Sequence, residues 1–447
     1  MIIPDSTTFD QRTMTRLLEH DPVVQRYRGF FALFDWSVVP DPAVDPSRPG
    51  KRPHPQSAYI KALLLKREEG MSTCTQLRHY LLEHPLLVLV LGFRPVLNRD
   101  LPYGFDVAKT VPTDRWFRQQ QHDLEQPVLQ GLLAATVRDL REEIPGLGEV
   151  VAFDVTHIYA YVKENNPRVY VKERFKKDQQ PRGDRDCKLG VKKSTNREQA
   201  DGSKKEEKEY LWGYGSGVAS CYLGGYGEVV LGETTLTFNE ADITHLVPLY
   251  IRTVAALGFF PTHITADAAF DAWYVYELVA HRGGIGAIAL NQHGHPESKR
   301  DRDGTPLCEK GLRMVSSFQF SHTRGYTSQR FLCPLLYPNP TGACCEHEQF
   351  KKEKGCVKDL NWELGGQMRV TLDRDSPLYH AIYDQRTNTE RINSQSKELG
   401  IKRPKVRTMA SIRNLNTLTY LVINARALRR VRKVNAELLS PPIKLIA

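Results

Sequence analysis

The chain has 447 residues, enough for a catalytic-sized core of about 250 residues with an added helical module. Hydrophobic residues at 40% and charged residues at 26% exclude wholesale disorder and indicate a folded, soluble chain. The 62 Lys and Arg outnumber the 52 Asp and Glu, and the resulting formal charge of +10 favours a polyanionic partner without identifying one.

The opening residues, Met1-Ile2-Ile3-Pro4-Asp5, lack the basic and then apolar regions of a secretory signal. The longest apolar run, residues 85–93, falls well short of the ~20 residues a membrane helix needs. We therefore expect a cytoplasmic protein that does not engage a membrane. Its eight cysteines are expected to be reduced thiols.

Residues 57–91 read as helix, turn, helix: Ile60, Leu63 and Leu64 recur at helical spacing, Gly70 breaks the run, and Ser72 is placed to cap a helix carrying Leu77, Tyr80 and Leu81. Thr113 is placed to cap a further helix with basic residues beside Trp116 and Phe117. Bundle packing and a DNA-reading helix-turn-helix both fit this pattern.

From Glu149 the run V-V-A-F-D-V-T-H-I-Y-A-Y-V, rich in β-branched and aromatic residues, predicts a central strand buried on both faces. Residues 163–210 are dense in charge of both signs and read as a long exposed loop, either a surface insertion or a segment lying on DNA. Strands are expected over 218–238 with a turn at Gly224-Gly225, then a helix over 241–257 and a strand over 263–266. A helix over 271–281, a short strand over 285–290, a Cys-bearing region to about 370 and two C-terminal helices follow. Strands first and helices interleaved later imply an α/β domain rather than a bundle.

Asp154 interrupts an apolar strand, where an unpaired carboxylate costs several kcal/mol. A divalent cation or backbone N–H groups would compensate it. Asp267 ends the strand in H-I-T-A-D-A-A-F-D, at the edge where open α/β sheets place ligands, and Asp271 reads as the cap of the next helix. In Y-D-Q-R-T-N-T-E-R-I-N-S-Q-S-K, residues 383–397, Tyr383, Arg386, Glu390 and Lys397 follow at steps of 3, 4 and 7. On one continuous helix at ~100° per residue these lie within about 60° of one another, and Asn393 joins the face. A carboxylate flanked by two cations and a phenol suits holding metal and phosphate together.

This quartet resembles the Tyr-Arg-Glu-Lys signature of bacterial insertion-sequence transposases of the DDE superfamily, at the family's spacing. The chain order, with helices first, then Asp on a first strand, Asp after a later strand and Glu on a helix, is similar to the RNase H-like fold of retroviral integrases. The resemblance implies an RNase H-like mixed sheet flanked by helices (146–290), preceded by a helical DNA-binding and dimerisation region (1–145). An insertion (291–375) precedes the catalytic helices (376–435), and a tail closes the chain (436–447). It further implies that Asp154, Asp267 and Glu390 bind two Mg²⁺ or Mn²⁺ ions, one activating water or a 3′-hydroxyl and the other stabilising the leaving oxygen. Tyr383, Arg386, Lys397 and Asn393 would contact DNA, with Tyr383 orienting the strand or a metal-bound water. The implied function is cleavage of the element's terminal inverted repeats and strand transfer into target DNA, by a homodimer when DNA is bound. The rival readings are a metal-dependent DNA nuclease without strand transfer and an inactive, transposase-derived DNA-binding protein.

Cys308, Cys333, Cys344, Cys345 and Cys356 cluster with His347 in the insertion, without a C-x-x-C pair. A structural zinc on Cys308, Cys333, Cys345 and Cys356 and unligated thiols both fit. Trp362 suits either packing or stacking on a flipped base. Residues 407–433 carry Ile412, Leu415, Leu421, Ala425 and Leu428 at helical spacing and end in the basic run 429–433, a DNA contact or a solvated terminus.

Overall fold

The computed structural model describes residues 2–41, 52–198, 204–291 and 299–439. Helices come first: α1 (Gln11–His20), α2 (Pro22–Phe31), α3 (Gln56–Glu68), α4 (Cys74–Glu83), α5 (Pro85–Leu91), α6 (Val107–Thr110), α7 (Asp114–Asp123) and α8 (Gln126–Glu143). Strands β1 (Val150–Tyr159), β2 (Lys188–Glu198), β3 (Lys204–Leu223) and β4 (Gly227–Thr237) follow, then α9 (Leu246–Leu257), β5 (His263–Ala266), α10 (Trp273–Ala280) and β6 (Gly286–Ile288). Next are β7 (Val315–Ser321), β8 (Thr327–Leu332), α11 (Glu348–Lys351), β9 (Val357–Asn361), α12 (Leu364–Thr371), α13 (Pro377–Tyr383), α14 (Thr387–Glu398) and α15 (Met409–Leu439). The chain is mixed α/β, its strands pairing both parallel and antiparallel. Among the described residues, no helix is long and apolar enough to cross a membrane. Residues 440–447 of the expected tail lie outside the described residues.

The chain divides into two compact units, each assembled from separate stretches. The first comprises residues 1–148, 154–259 and 387–447, and the second comprises 149–153 and 260–386. The chain crosses between them within β1, immediately before Asp154, and again between Arg386 and Thr387.

In the first unit, local chemistry starts each helix. Asp10 caps α1 and Asp21 caps α2, whose first residue is Pro22, where a missing N–H costs nothing. The helix after Gly70 is capped by Thr73 rather than Ser72, because Thr73 and Gln76 form a reciprocal capping box. Gly70 itself adopts φ +65°, a conformation that ends α3 at little steric cost only for glycine. Helices α3, α4, α5 and α7 pack together through Tyr59, Phe93 and Phe117, and Trp116 Nε1 donates to the Tyr59 hydroxyl at 2.8 Å. Bundle packing therefore accounts for the aromatic residues near Thr113.

The segment 163–210 is only partly loop. Residues 188–198 and 204–223 form strands β2 and β3, which pair antiparallel from Lys188↔Gly213 onward. A ladder of backbone hydrogen bonds supports a strand whose side chains are charged, so the absence of apolar alternation hid it. β3 then pairs antiparallel with β4.

Helix α15 packs on α8, α7, α3 and β4, with α14 alongside. It is not amphipathic as its spacing suggests; burial continues round the helix through Asn414, Asn416, Thr417 and Asn424 as well as the expected apolar residues. The amide nitrogens find partners: Asn424 exchanges hydrogen bonds with the Val230 backbone (2.8 and 2.9 Å), Asn414 Nδ2 donates to the Gln121 and Leu124 carbonyls at 2.8 and 2.9 Å, and Asn416 Nδ2 donates to Thr235 Oγ1 at 2.8 Å. At its basic end Arg430 Nε donates to the Tyr226 carbonyl at 2.7 Å, and Arg432 pairs with Glu143 at 3.1 Å. These two cations are committed within the protein.

In the second unit β1 pairs parallel with β5 and β5 with β6, while α10 and α13 pack on these strands. The Cys-bearing region forms an antiparallel sheet in the order β7-β8-β9. Trp362 packs on Phe331 there, ring centroids 5.4 Å apart, which favours its packing role.

Candidate functional site

In the first unit the Asp154 carboxylate is half-buried and held on both oxygens. Oδ1 accepts from the Val155 N–H at 2.8 Å, and Oδ2 accepts from Asn393 Nδ2 at 2.9 Å. Asn393 is 5% exposed, and its own Oδ1 is buried without a hydrogen-bond partner. Glu390 lies three residues earlier on α14, about 60° round the helix, and its side chain is exposed. Lys397 lies one turn beyond Asn393, close enough to His157 on β1 for its charge to act on the imidazole. Positions 393 and 397 of α14 thus follow the Asp154–His157 stretch of β1. Beneath it, the buried Tyr420 hydroxyl of α15 meets Ser216 Oγ at 2.9 Å.

The small residues of β3 make this arrangement fit. A Cβ on Gly215 would sit 3.0 Å from His245 Nε2, and one on Gly217 would sit 2.6 Å from Nδ1. Alternation of glycine with Tyr214 and Ser216 therefore leaves room for a buried imidazole, which bonds Thr234 Oγ1 at 2.7 Å. Our reading of the sequence missed His157, His245 and Tyr420; the Gly213-Tyr-Gly-Ser-Gly217 pattern was the available signal for a close approach.

Burial pushes His245 down to about 4 from the ordinary 6.5, with His157 adding to the effect. Burial likewise pushes His157 down to about 4, helped by Lys192 and Lys397 and opposed by Glu209. Both are neutral in the native state, so the unfolded chain takes up protons first as pH falls. The contribution of these two groups to stability should then decline from about pH 6.5 to about pH 4 and level off below that. Urea midpoints across this range should fall less steeply for His245→Gln, by about one proton or ~1.4 kcal/mol per pH unit. Equal slopes would show that His245 does not titrate in this way.

In the second unit Asp267 is half-buried directly after β5, and its Oδ1 accepts from the Ala269 N–H at 2.9 Å at the start of a short 3-10 turn. The β1–β5 register is Val150↔His263, Val151↔Ile264 and Ala152↔Thr265. Asp154 and Asp267 each follow the last of these paired residues by two positions.

Asp271 is not a helix cap; Ala272 holds that position. Its fully buried carboxylate takes two bonds from Arg369, at 2.8 and 2.6 Å. It also accepts from the Tyr276 hydroxyl at 2.9 Å and the Asn291 N–H at 2.8 Å. This is a structural ion pair.

Tyr383 and Arg386 do not share one continuous α-helix with Glu390. Tyr383 ends α13, residues 384–386 form a 3-10 turn, and α14 starts at Thr387, so the 100° spacing does not run through the motif. The turn carrying Arg386 packs against β5. Arg386 lies 5.8 Å from the Tyr383 ring, which stacks on Tyr379 with centroids 5.4 Å apart.

Cys308 and Cys333 are buried at one end of the three-stranded sheet, and Cys356 packs with Cys308 around Met314 and Phe331. Burial, with Cys333 and Cys308 close by, pushes the Cys356 thiol up to about 12. Cys345 lies outside this cluster. Among the described residues no three His, Cys, Asp or Glu side chains are grouped as ligands for a metal ion.

The donors beside Asp154 in the first unit are hard oxygens, its own carboxylate and the orphaned Asn393 amide oxygen. That chemistry suits Mg²⁺ or Mn²⁺ and not a thiophilic metal. The chain matches no family model and no curated protein, so the functional reading stands on this geometry and on the residue pattern.

Proposed function

We propose that this chain is a DDE transposase with an RNase H-like catalytic domain, acting as a homodimer on double-stranded DNA in the bacterial cytoplasm. It cleaves the terminal inverted repeats of an insertion sequence and transfers the freed 3′ ends to target DNA. The observation that carries this reading is the hydrogen bond from Asn393 to Asp154 across 239 residues, which ties the Tyr-Arg-Glu-Lys segment to the first-strand aspartate. The matched two-residue steps beyond the β1–β5 pairing support Asp267 as the second carboxylate.

Asp154, Asp267 and Glu390 would hold the divalent ions, which when bound supply charge neutralisation and an activated oxygen nucleophile for in-line displacement at phosphorus. The protein's own contribution is positioning. Asn393 fixes the Asp154 carboxylate by bonding one oxygen while the Val155 N–H bonds the other. Lys397 and Arg386 would present cations to phosphate oxygens, and Tyr383, held by its stack on Tyr379, would orient the strand or a metal-bound water.

The test uses duplexes built from the DNA that flanks the coding sequence, labelled at the 3′ end and incubated with target DNA and Mg²⁺ or Mn²⁺. Joined products are expected. Cleavage without joining would identify a nuclease, and no cleavage in Mn²⁺ would leave a DNA-binding descendant of a transposase.

A further inference from the structure

Within the first unit, the end of β1 and the loop between α14 and α15 enclose a cavity of about 420 Å³ that takes no part in the carboxylate site. Its walls include Tyr159, Tyr161, Lys163, Arg403, Lys405 and Arg407. Tyr161, Lys405 and Arg407 also line a second depression of about 320 Å³, which Arg118 borders, so the two form one groove. Among the described residues no Asp or Glu lines either part.

The two guanidinium groups are held in place rather than left to wander. The Arg403 guanidinium sits 4.5 Å from the Tyr159 ring centroid and that of Arg407 sits 5.3 Å from the Tyr161 ring. Arg407 Nε also donates to the Tyr161 carbonyl at 3.2 Å, and Pro404 stiffens the loop between. Acids beside the groove already have partners: Glu209 accepts the Tyr159 hydroxyl, Asp114 pairs with Arg118 at 2.6 Å, and Asp184 and Asp186 accept from the Thr408 and Met409 N–H groups. Lys405 and Arg403 remain exposed, and Tyr161 is 50% exposed.

We infer that this groove is a second DNA contact, a sequence-independent seat for the phosphodiester backbone of the duplex being processed. Guanidinium and ammonium groups without competing carboxylates match phosphate oxygens, and an exposed aromatic edge fits against a sugar. Tyr159 lies five residues along β1 from Asp154, roughly 17 Å at the rise of a strand, which corresponds to about five base steps of B-form duplex. The inference rests on the proposed DNA-processing role, because it assigns the groove to the same substrate.

The test measures binding of the full chain to a 5′-labelled duplex of arbitrary sequence, with EDTA present and KCl varied. The Arg403→Gln/Lys405→Gln variant should bind at least about 10-fold more weakly at 0.1 M salt, and its slope of log K against log [salt] should shrink by about 1.8. Lys351→Gln/Lys352→Gln, with the same charge loss on exposed residues of the Cys-bearing insertion, should keep the wild-type slope. Equal effects from both variants, or none from the groove variant, would overturn this seat while leaving the carboxylate site untouched. Selective loss on a single strand with duplex binding unchanged would also overturn it. A wild-type chain that binds no DNA at any salt would overturn both the groove and the proposed function.

Discussion

Glu390→Gln and Asp154→Asn are each expected to lower divalent-dependent DNA cleavage by at least about 10³-fold, roughly 4 kcal/mol of transition-state stabilisation. Replacing a carboxylate by its amide removes charge and a metal-ligating oxygen while keeping shape. Asp154→Asn should also preserve the local fold. The Asn393 amide can rotate so that its Oδ1, now buried without a partner, accepts from the new side chain. Glu390 is exposed at the start of α14, so its change should leave the unfolding midpoint unmoved. Cleavage rates on labelled duplex, beside DNA affinity by anisotropy, separate chemistry from binding. Either variant cleaving within about 10-fold of wild type would remove that residue from the reaction.

Asp271→Ala should destabilise the protein by about 3–5 kcal/mol, whereas Asp267→Ala, four residues earlier, should cost only about 1 kcal/mol. The two carboxylates differ in what they hold. Asp271 has no side-chain exposure and accepts from Arg369, Tyr276 and the Asn291 backbone, so its loss strips a half-buried guanidinium, a buried phenol and a backbone N–H of their acceptor. Asp267 is half-buried and makes one backbone bond to Ala269. Urea unfolding should therefore single out Asp271→Ala, while cleavage assays on folded protein should single out Asp267→Ala. A stable but inactive Asp271→Ala beside an active Asp267→Ala would reverse the roles given to these two residues.

The comparison of these aspartates also shows where sequence reasoning reaches its limit. Both precede the same helix, and the cap assigned to Asp271 is the commoner local use of such a residue. Its actual partner, Arg369, lies 98 residues away, and no local spacing announces it. The charged β2–β3 hairpin was missed for a related reason. Its strands are supported by each other's backbone groups, while the side chains carry none of the alternation by which a strand is recognised. The quartet was legible as a spacing, but not as a shape, because the 3-10 turn at 384–386 interrupts the helix that the spacing assumes.

The amino-acid sequence alone determined the local features: where β5 ends and Asp267 begins, the helix framed by Thr113, the turn at residue 224, and the mixed α/β class. These depend on interactions within a few residues, which leave a periodic or capping trace in the chain. Only the tertiary structure decided that Asn393 holds Asp154, that Arg369 neutralises Asp271, and that glycines on β3 admit His245. Such pairings are set by the packing of segments that no local repeat or cap connects along the chain, and desolvation then makes each partner obligatory.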